Sequence, residues 1–137
     1  MKLEKRLRKL GEAERRRVLA ALRRLLERDE RVVFAYVFGG FVERVVTRDV
    51  DVAVWLAEGV DPLGYVLEAG VELEEAASMP VDVVVLNEAP EALRYTVFTR
   101  GAPLIVKDRV LHDAVVAASI LGYADLLMLR RVSRGTR

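Results

Sequence analysis

Val37-Phe-Gly-Gly-Phe41 and, shortly after it, Asp49-Val-Asp-Val-Ala-Val-Trp55 decide how this chain is read. Two glycines end one apolar run. Two carboxylates then sit one residue apart at the start of another. Strand interiors normally exclude Asp. Side chains on a strand alternate between faces, so Asp49 and Asp51 point the same way, about 6–7 Å apart along it. Such a pair is either an edge left in water or a site that holds a cation. Val50, Val52 and Val54 take the other face and can be buried, while Ala53 and Trp55 share the Asp face farther along.

Working outward, Arg31–Phe38 is a β-branched and aromatic run, predicted as a buried strand that Gly39-Gly40 terminates. Residues 41–46 leave room for one turn before the second strand, Val50–Leu56. Upstream, residues 12–28 show helical periodicity, with Val18, Leu22, Leu25 and Leu26 on one stripe and Arg15, Arg16, Arg23 and Arg24 mostly elsewhere. A solvated face is expected for these arginines in preference to RNA contact. The first ten residues continue in this style across Gly11, where the helix is expected to break or fray. Downstream, Asp61 caps a helix with Pro62 at its first position, running to about Ala77. Met79-Pro80 is a break, Val81–Leu86 a third strand, and residues 90–98 a helix closed by Arg100-Gly101. A short strand over Pro103–Val106 precedes a long helix from Asp108 to about Arg131. The predicted order is α-β-β-α-β-α-β-α, in one domain spanning residues 1–137.

Composition narrows the classes. With 137 residues and 53% hydrophobic content the chain can bury one core and is not disordered. A formal charge of +1 argues against a dedicated nucleic-acid binder. There is no Cys, which excludes thiol catalysis and Cys-ligated zinc, and the single His112 excludes a His-rich metal site. No uninterrupted apolar run approaches the roughly 18–20 residues of a membrane span. The N-terminus has no apolar stretch typical of a secretory signal, so a cytoplasmic location is expected. The absence of Gln, the single Asn87 and the wealth of Arg, Glu and Val fit a protein from a hot environment.

Asp82 opens the third strand as a lone acid among aliphatics. If the second and third strands are neighbours, three carboxylates converge at one end of the sheet. Three hard oxygen donors suit Mg2+, which takes carboxylates plus water and substrate phosphate. A Gly39-Gly40 turn opening a short helical segment lets backbone N–H groups approach phosphate. Neither part is specific alone; the combination, in this order, points to a site.

These residues resemble the signature of the DNA polymerase β-like nucleotidyltransferases: Gly39-Gly40, then Asp49-x-Asp51 on the next strand, then Asp82 on a later one. Within that superfamily the chain is similar to the minimal nucleotidyltransferases, the MNT-type antitoxins encoded beside HEPN-domain toxins. The likeness runs from about Arg31 to Leu129 and includes Asp82–Pro90, Arg100–Asp108 and Tyr123-Ala-Asp125. It implies an α+β fold, a small mixed sheet flanked by helices. It implies Mg2+ on Asp49 and Asp51, with Asp82 as third carboxylate and base for the acceptor hydroxyl, and ATP at the Gly39-Gly40 turn. It implies transfer of AMP to a tyrosine of a partner HEPN-type toxin RNase. The chain departs from the family where Gly40 replaces a Ser, Glu43 an Arg and Arg48 a Ser, and its loop before Asp49 is about two residues shorter. Arg44 and Arg48 are the candidates to supply the phosphate contacts so lost. The alternative is an antitoxin that neutralises by binding alone; transfer to a small molecule or an RNA end is a third reading.

Elsewhere, Lys107 and Arg109 are expected as surface charge, His112 as a surface or capping residue, and Tyr36 and Tyr95 as core. The last helix carries two apolar stripes, Leu111/Val115/Ala118/Gly122 and Val116/Ile120/Tyr123/Leu127. Apolar over so much of its circumference, it is expected to meet another chain, in a homo- or hetero-oligomer.

Overall fold

The computed structural model describes residues 7–44 and 46–135. In chain order the elements are β1 (Arg8–Lys9), α1 (Glu12–Arg28), β2 (Val32–Phe38), α2 (Gly40–Glu43), β3 (Val46–Thr47), β4 (Val50–Leu56), α3 (Pro62–Ala77), β5 (Val81–Val85), a 3-10 turn (Leu86–Glu88), α4 (Glu91–Arg100), β6 (Ala102–Val106) and α5 (Arg109–Gly135). The fold is α+β. Its main sheet runs β5-β4-β2-β6, with β5 parallel to β4 and the other neighbours antiparallel.

β4 lies in the interior of this sheet. The choice left open by Asp49-x-Asp51, edge or site, therefore falls against the edge. β4 also explains the layering. Val50, Val52, Val54 and Leu56 are buried against α1 and α3, where Val18, Leu22, Leu26, Tyr65, Ala69 and Leu73 meet them. Ala53 lies on the opposite face with Phe34, Tyr36 and Val97, and Trp55 packs beside them under α4 and the start of α5. Each fully buried Val or Leu side chain contributes about 1.5–3 kcal/mol of transfer free energy. Pro103, which cannot donate to a ladder, sits in the outer strand β6, where that loss is tolerated.

Capping follows the sequence closely. The Asp61 carboxylate accepts from the Gly64 N–H at 3.1 Å, with Pro62 behind it, and Ser78 ends α3 in the left-handed region at φ 56°. Asp108 accepts from the Leu111 N–H at 3.0 Å. Asn87 is held like a strand residue: its side chain accepts from the Leu56 N–H at 2.8 Å and donates to the Leu56 carbonyl at 3.0 Å.

Several expectations change. The helix breaks at Gly11 as expected, but Arg8–Lys9 before it is a strand, paired antiparallel with Val46–Thr47 in a small second sheet that short polar segments do not announce. Residues 1–6 of the segment expected to fray lie outside the described residues. The third strand gives way at Leu86 to the 3-10 turn, because Arg94 donates to the Leu86 and Asn87 carbonyls, both at 2.8 Å. Arg16 and Arg24 keep the solvated face expected of them, while two exposed arginines of α1 also staple the fold: Arg17 donates to the Ala77 carbonyl at 3.2 Å and Arg23 to the Leu104 carbonyl at 2.8 Å.

α5 also differs. It reaches Gly135, and only its inner side, around Val115, Ser119 and Tyr123, packs on the body. By length and composition its stretch Arg109–Ser133 is long and apolar enough to cross a membrane, with a mean hydropathy of 1.5 in its most apolar window. A search for an uninterrupted run passes over it because Asp113 and Asp125 interrupt the apolar residues. From Leu127 to Ser133 every side chain is exposed.

Candidate active site

The β4–β5 ladder pairs Asp51 directly with Asp82, and β2 places Phe38 on the other side of Asp51. Asp49 precedes β4 by one residue. The buried Thr47 fixes it, donating its hydroxyl to the Asp49 carbonyl at 2.8 Å. The result is a half-buried group in which one carboxylate oxygen from each of Asp49, Asp51 and Asp82 lies within 4.8 Å of the others. Like charges this close repel one another unless a cation or a proton sits among them. An all-oxygen donor set, partly open to solvent, fits a hard divalent cation that keeps water or phosphate in its remaining positions.

The turn beside this group is built for close approach. Gly39 has φ 73° and ψ −150°, a region essentially reserved for glycine. A Cβ on Gly39 would also collide with Oδ2 of Asp51. The first residue of the glycine pair is therefore fixed twice, by its backbone and by the carboxylate lying against it. Gly40 is different: a Cβ there would stand 3.7 Å from Thr47 Oγ1, an ordinary contact. α2 is one turn long and is held from below by Arg15, whose guanidinium donates to the Phe41 and Arg44 carbonyls and lies 5.1 Å from the centre of the Phe41 ring. Arg15 is a residue that sequence reasoning left on a solvated face; its charge is spent on the turn that faces the carboxylates.

A polar cleft of about 420 Å³ opens here, lined by Leu7, Gly40, Arg44, Val46, Thr47, Arg48 and Asp49. Arg44 and Arg48 are exposed and reach it from either end of the β3 segment. Glu43 turns aside toward Arg100, at 3.9 Å in an exposed pair. Lys107 lies far from the cleft. It donates to the Asp29 carbonyl at 2.7 Å, at the opposite end of β2.

His112 is not a surface residue. Its side chain is 15% exposed, Nε2 lies 2.7 Å from the Tyr36 hydroxyl and Nδ1 lies 2.8 Å from Asp113. Its ring meets Phe34 edge-on at 4.9 Å. The aromatic floor made by Phe34, Tyr36 and Trp55 needs a flat partner with a polar tip, and α5 supplies it. Burial holds the Tyr36 phenol above its ordinary range, with the Asp113 charge adding to the effect.

The sequence profile described as polymerase beta, nucleotidyltransferase matches residues 21–110, from within α1 to the start of α5. The chain belongs to this nucleotidyltransferase family. Its sheet, its paired carboxylates and its glycine turn all fall inside the matched region. Among curated protein sequences none matches the chain. Several solved structures share its fold. A chain of the toxin–antitoxin MntA–HepT crystal structure is 22% identical, with a TM-score of 0.63 over 91% of this chain and 97% of that one. A chain of a toxin–antitoxin complex with AMP-PNP is 24% identical, with a TM-score of 0.66 over 88% and 95%. A third, from Shewanella oneidensis, belongs to a structure of a tri-AMPylated HEPN toxin in complex with an MNT antitoxin. It is 22% identical, with a TM-score of 0.61 over 90% and 94%.

Proposed function

We propose that this nucleotidyltransferase is an antitoxin that moves AMP from ATP to a hydroxyl, that of a tyrosine, on a HEPN-type toxin RNase. The observation that carries the reading is the three-carboxylate group at the glycine turn. Fold relatives that hold AMP-PNP or stand beside an AMPylated toxin support the choice of nucleotide and acceptor.

Asp49, Asp51 and Asp82 would hold Mg2+, whose charge offsets that of the triphosphate. Gly39 and Gly40 let the phosphate chain approach the backbone, and Arg44 and Arg48 meet its outer oxygens in the polar cleft. The acceptor oxygen bonds to the α-phosphorus as the bond to the bridging oxygen of the β-phosphate breaks. Pyrophosphate leaves, and the hydroxyl proton passes to the Asp82 carboxylate. Incubation with ATP, Mg2+ and the toxin is expected to add AMP to the toxin, seen by mass spectrometry. Asp49→Asn with Asp51→Asn stops it. An unmodified toxin under every condition overturns the reading.

A second reading rests on Glu43, which is tied to Arg100 and not turned to the cleft: the chain neutralises the toxin by occupying it. Under that reading the double Asn variant still protects cells from the toxin.

A further inference from the structure

β5 is the outer strand of the main sheet; its outer edge pairs with no other strand among the described residues and is roofed. Beside it runs a groove of about 870 Å³, walled by Leu67, Gly70 and Val71 of α3 above and by Val83 of β5 below, with Glu74 and Glu75 at its end. Leu67 and Val71 are 65% and 59% exposed, large apolar side chains with nothing of the described chain over them. The Val50 N–H donates to the Pro80 carbonyl at 2.9 Å, so residue 80 faces β4. Alternation along the strand then turns the backbone groups of Val83 outward, into the groove, and those of Val85 outward at the neighbouring smaller cleft. The Val81 N–H, also outward, is already taken by Glu74 at 3.2 Å.

The segment that builds this edge is acidic, and the cations that reach it, Arg8 and Arg17, do so at one end only, on the Ser78 and Ala77 carbonyls. Between Arg48 and Arg94 there is no Lys or Arg, and all 22 lie outside that stretch, while eleven of the 21 acids lie inside it. Two copies of this chain would therefore meet edge to edge with like charges, which disfavours a second copy as occupant. The groove also reaches Asp82, which is in register with Asp51.

We propose that an extended segment of the acceptor protein adds to β5 as a further strand. Its apolar residues lie under Leu67 and Val71, and its basic residues meet Glu74 and Glu75. A strand paired with β5 puts side chains opposite each other at a Cβ spacing of about 4.5–5.5 Å. The residue opposite Asp82 shares the face of Asp82 and Asp51, and its hydroxyl is delivered to the carboxylates. Its neighbours on either side point into the groove. The acceptor site is thus read by backbone pairing together with an alternating pattern: basic, polar, apolar, hydroxyl, apolar, polar, basic. This assignment rests on the transfer reading above for its purpose but not for its geometry.

The heptapeptide Arg-Thr-Val-Tyr-Val-Thr-Arg tests it, with Glu-Thr-Val-Tyr-Val-Thr-Glu as control. The basic peptide slows amide exchange at Val83 and Val85; the acidic one does not. Leu67→Glu with Val71→Glu, both on the exposed face of α3, raises KM for the peptide or the whole toxin by about tenfold, leaving kcat and binding of a fluorescent ATP analogue unchanged. Equal protection by both peptides, no protection by either, or protection that depends only on the chain's own concentration overturns the proposal, the last in favour of a second copy. Protection of β5 without AMP on the tyrosine upholds the dock and removes the transfer reading. AMP transfer with unprotected β5 and an unchanged KM does the reverse.

Discussion

Gly39 and Gly40 look interchangeable in the sequence and are opposites in the structure. Gly39 combines a backbone that other residues resist with Asp51 lying where a side chain would go. Gly39→Ala is expected to abolish AMP transfer and to shift Asp51 enough to weaken Mg2+ binding, measured by calorimetry. Gly40 has room for a side chain. Under the proposed function, Gly40→Ser adds one hydroxyl beside the phosphates, and a hydrogen bond to a charged group is worth about 1.5–3 kcal/mol. ATP affinity is expected to rise about tenfold or more; an unchanged Kd would show that the backbone alone grips the phosphates. Tyr65 makes a third case. It is buried on the far side of the sheet, burial holds its phenol well above the ordinary range, and its hydroxyl finds no hydrogen-bond partner among the described residues. Removing an unpaired buried polar atom relieves a cost of about 1–3 kcal/mol. Tyr65→Phe should therefore leave the denaturation midpoint unchanged or raise it, whereas Tyr65→Ala lowers it, at a cost of about 3–5 kcal/mol of stability.

The main elements were legible because each is announced by local chemistry: Asp61-Pro62 for the start of α3, Gly39-Gly40 for the end of β2, a single acid among valines for β5. What escaped depends on partners distant in sequence. The pairing of β1 with β3 joins segments of two residues each, too short to show any period. Arg15 and Arg23 read as solvated only, because helical periodicity does not show the distant carbonyls they reach. His112 was misread for a like reason, since Tyr36 lies 76 residues away. The junction of α1 and β2 shows the same logic in a form that can be titrated. Arg31 donates to both carboxylate oxygens of Asp29 at 2.9 Å and to Glu68 at 2.6 Å, and lies 4.9 Å from the centre of the Tyr65 ring. The hydrogen bonds from Arg31 hold the Asp29 carboxyl below its ordinary 3.8 despite partial burial. A depressed carboxyl stabilises the fold above its unfolded value and stops doing so as pH falls through the folded one. Stability is thus expected to fall as pH drops below about 4. In Asp29→Asn that acid-dependent part is reduced, at a cost of about 1 kcal/mol at neutral pH, because the pair is partly exposed.

Seen whole, the molecule has a packed body and one long helix that leaves it. Asp49, Asp51 and Asp82 could be proposed as a group from sequence because each sits where a strand begins, and strand starts gather at one end of a parallel pair. The acceptor side could not, since the free edge of β5 and the overhang of α3 exist only once the sheet order is known. The end of α5 points the same way. Leu127, Met128, Leu129 and Val132 are all exposed, with Arg130 and Arg131 among them. If this end carries the main contact with the toxin, Leu129→Glu with Val132→Glu should abolish co-elution on gel filtration. The circular dichroism of the body and nucleotide binding are then unchanged. Persistence of the complex would move the main contact to the β5 edge.

Asn87 carries the only amide side chain in the chain, and it grips both backbone groups of Leu56. Hydrolysis of that amide would replace a donor with an anionic oxygen facing the Leu56 carbonyl, turning attraction into repulsion at the end of the central strand. Deamidation on prolonged heating therefore has one address in this protein. In heat-stressed samples the deamidated fraction at Asn87, followed by peptide mass mapping, should rise in step with the fraction that no longer refolds.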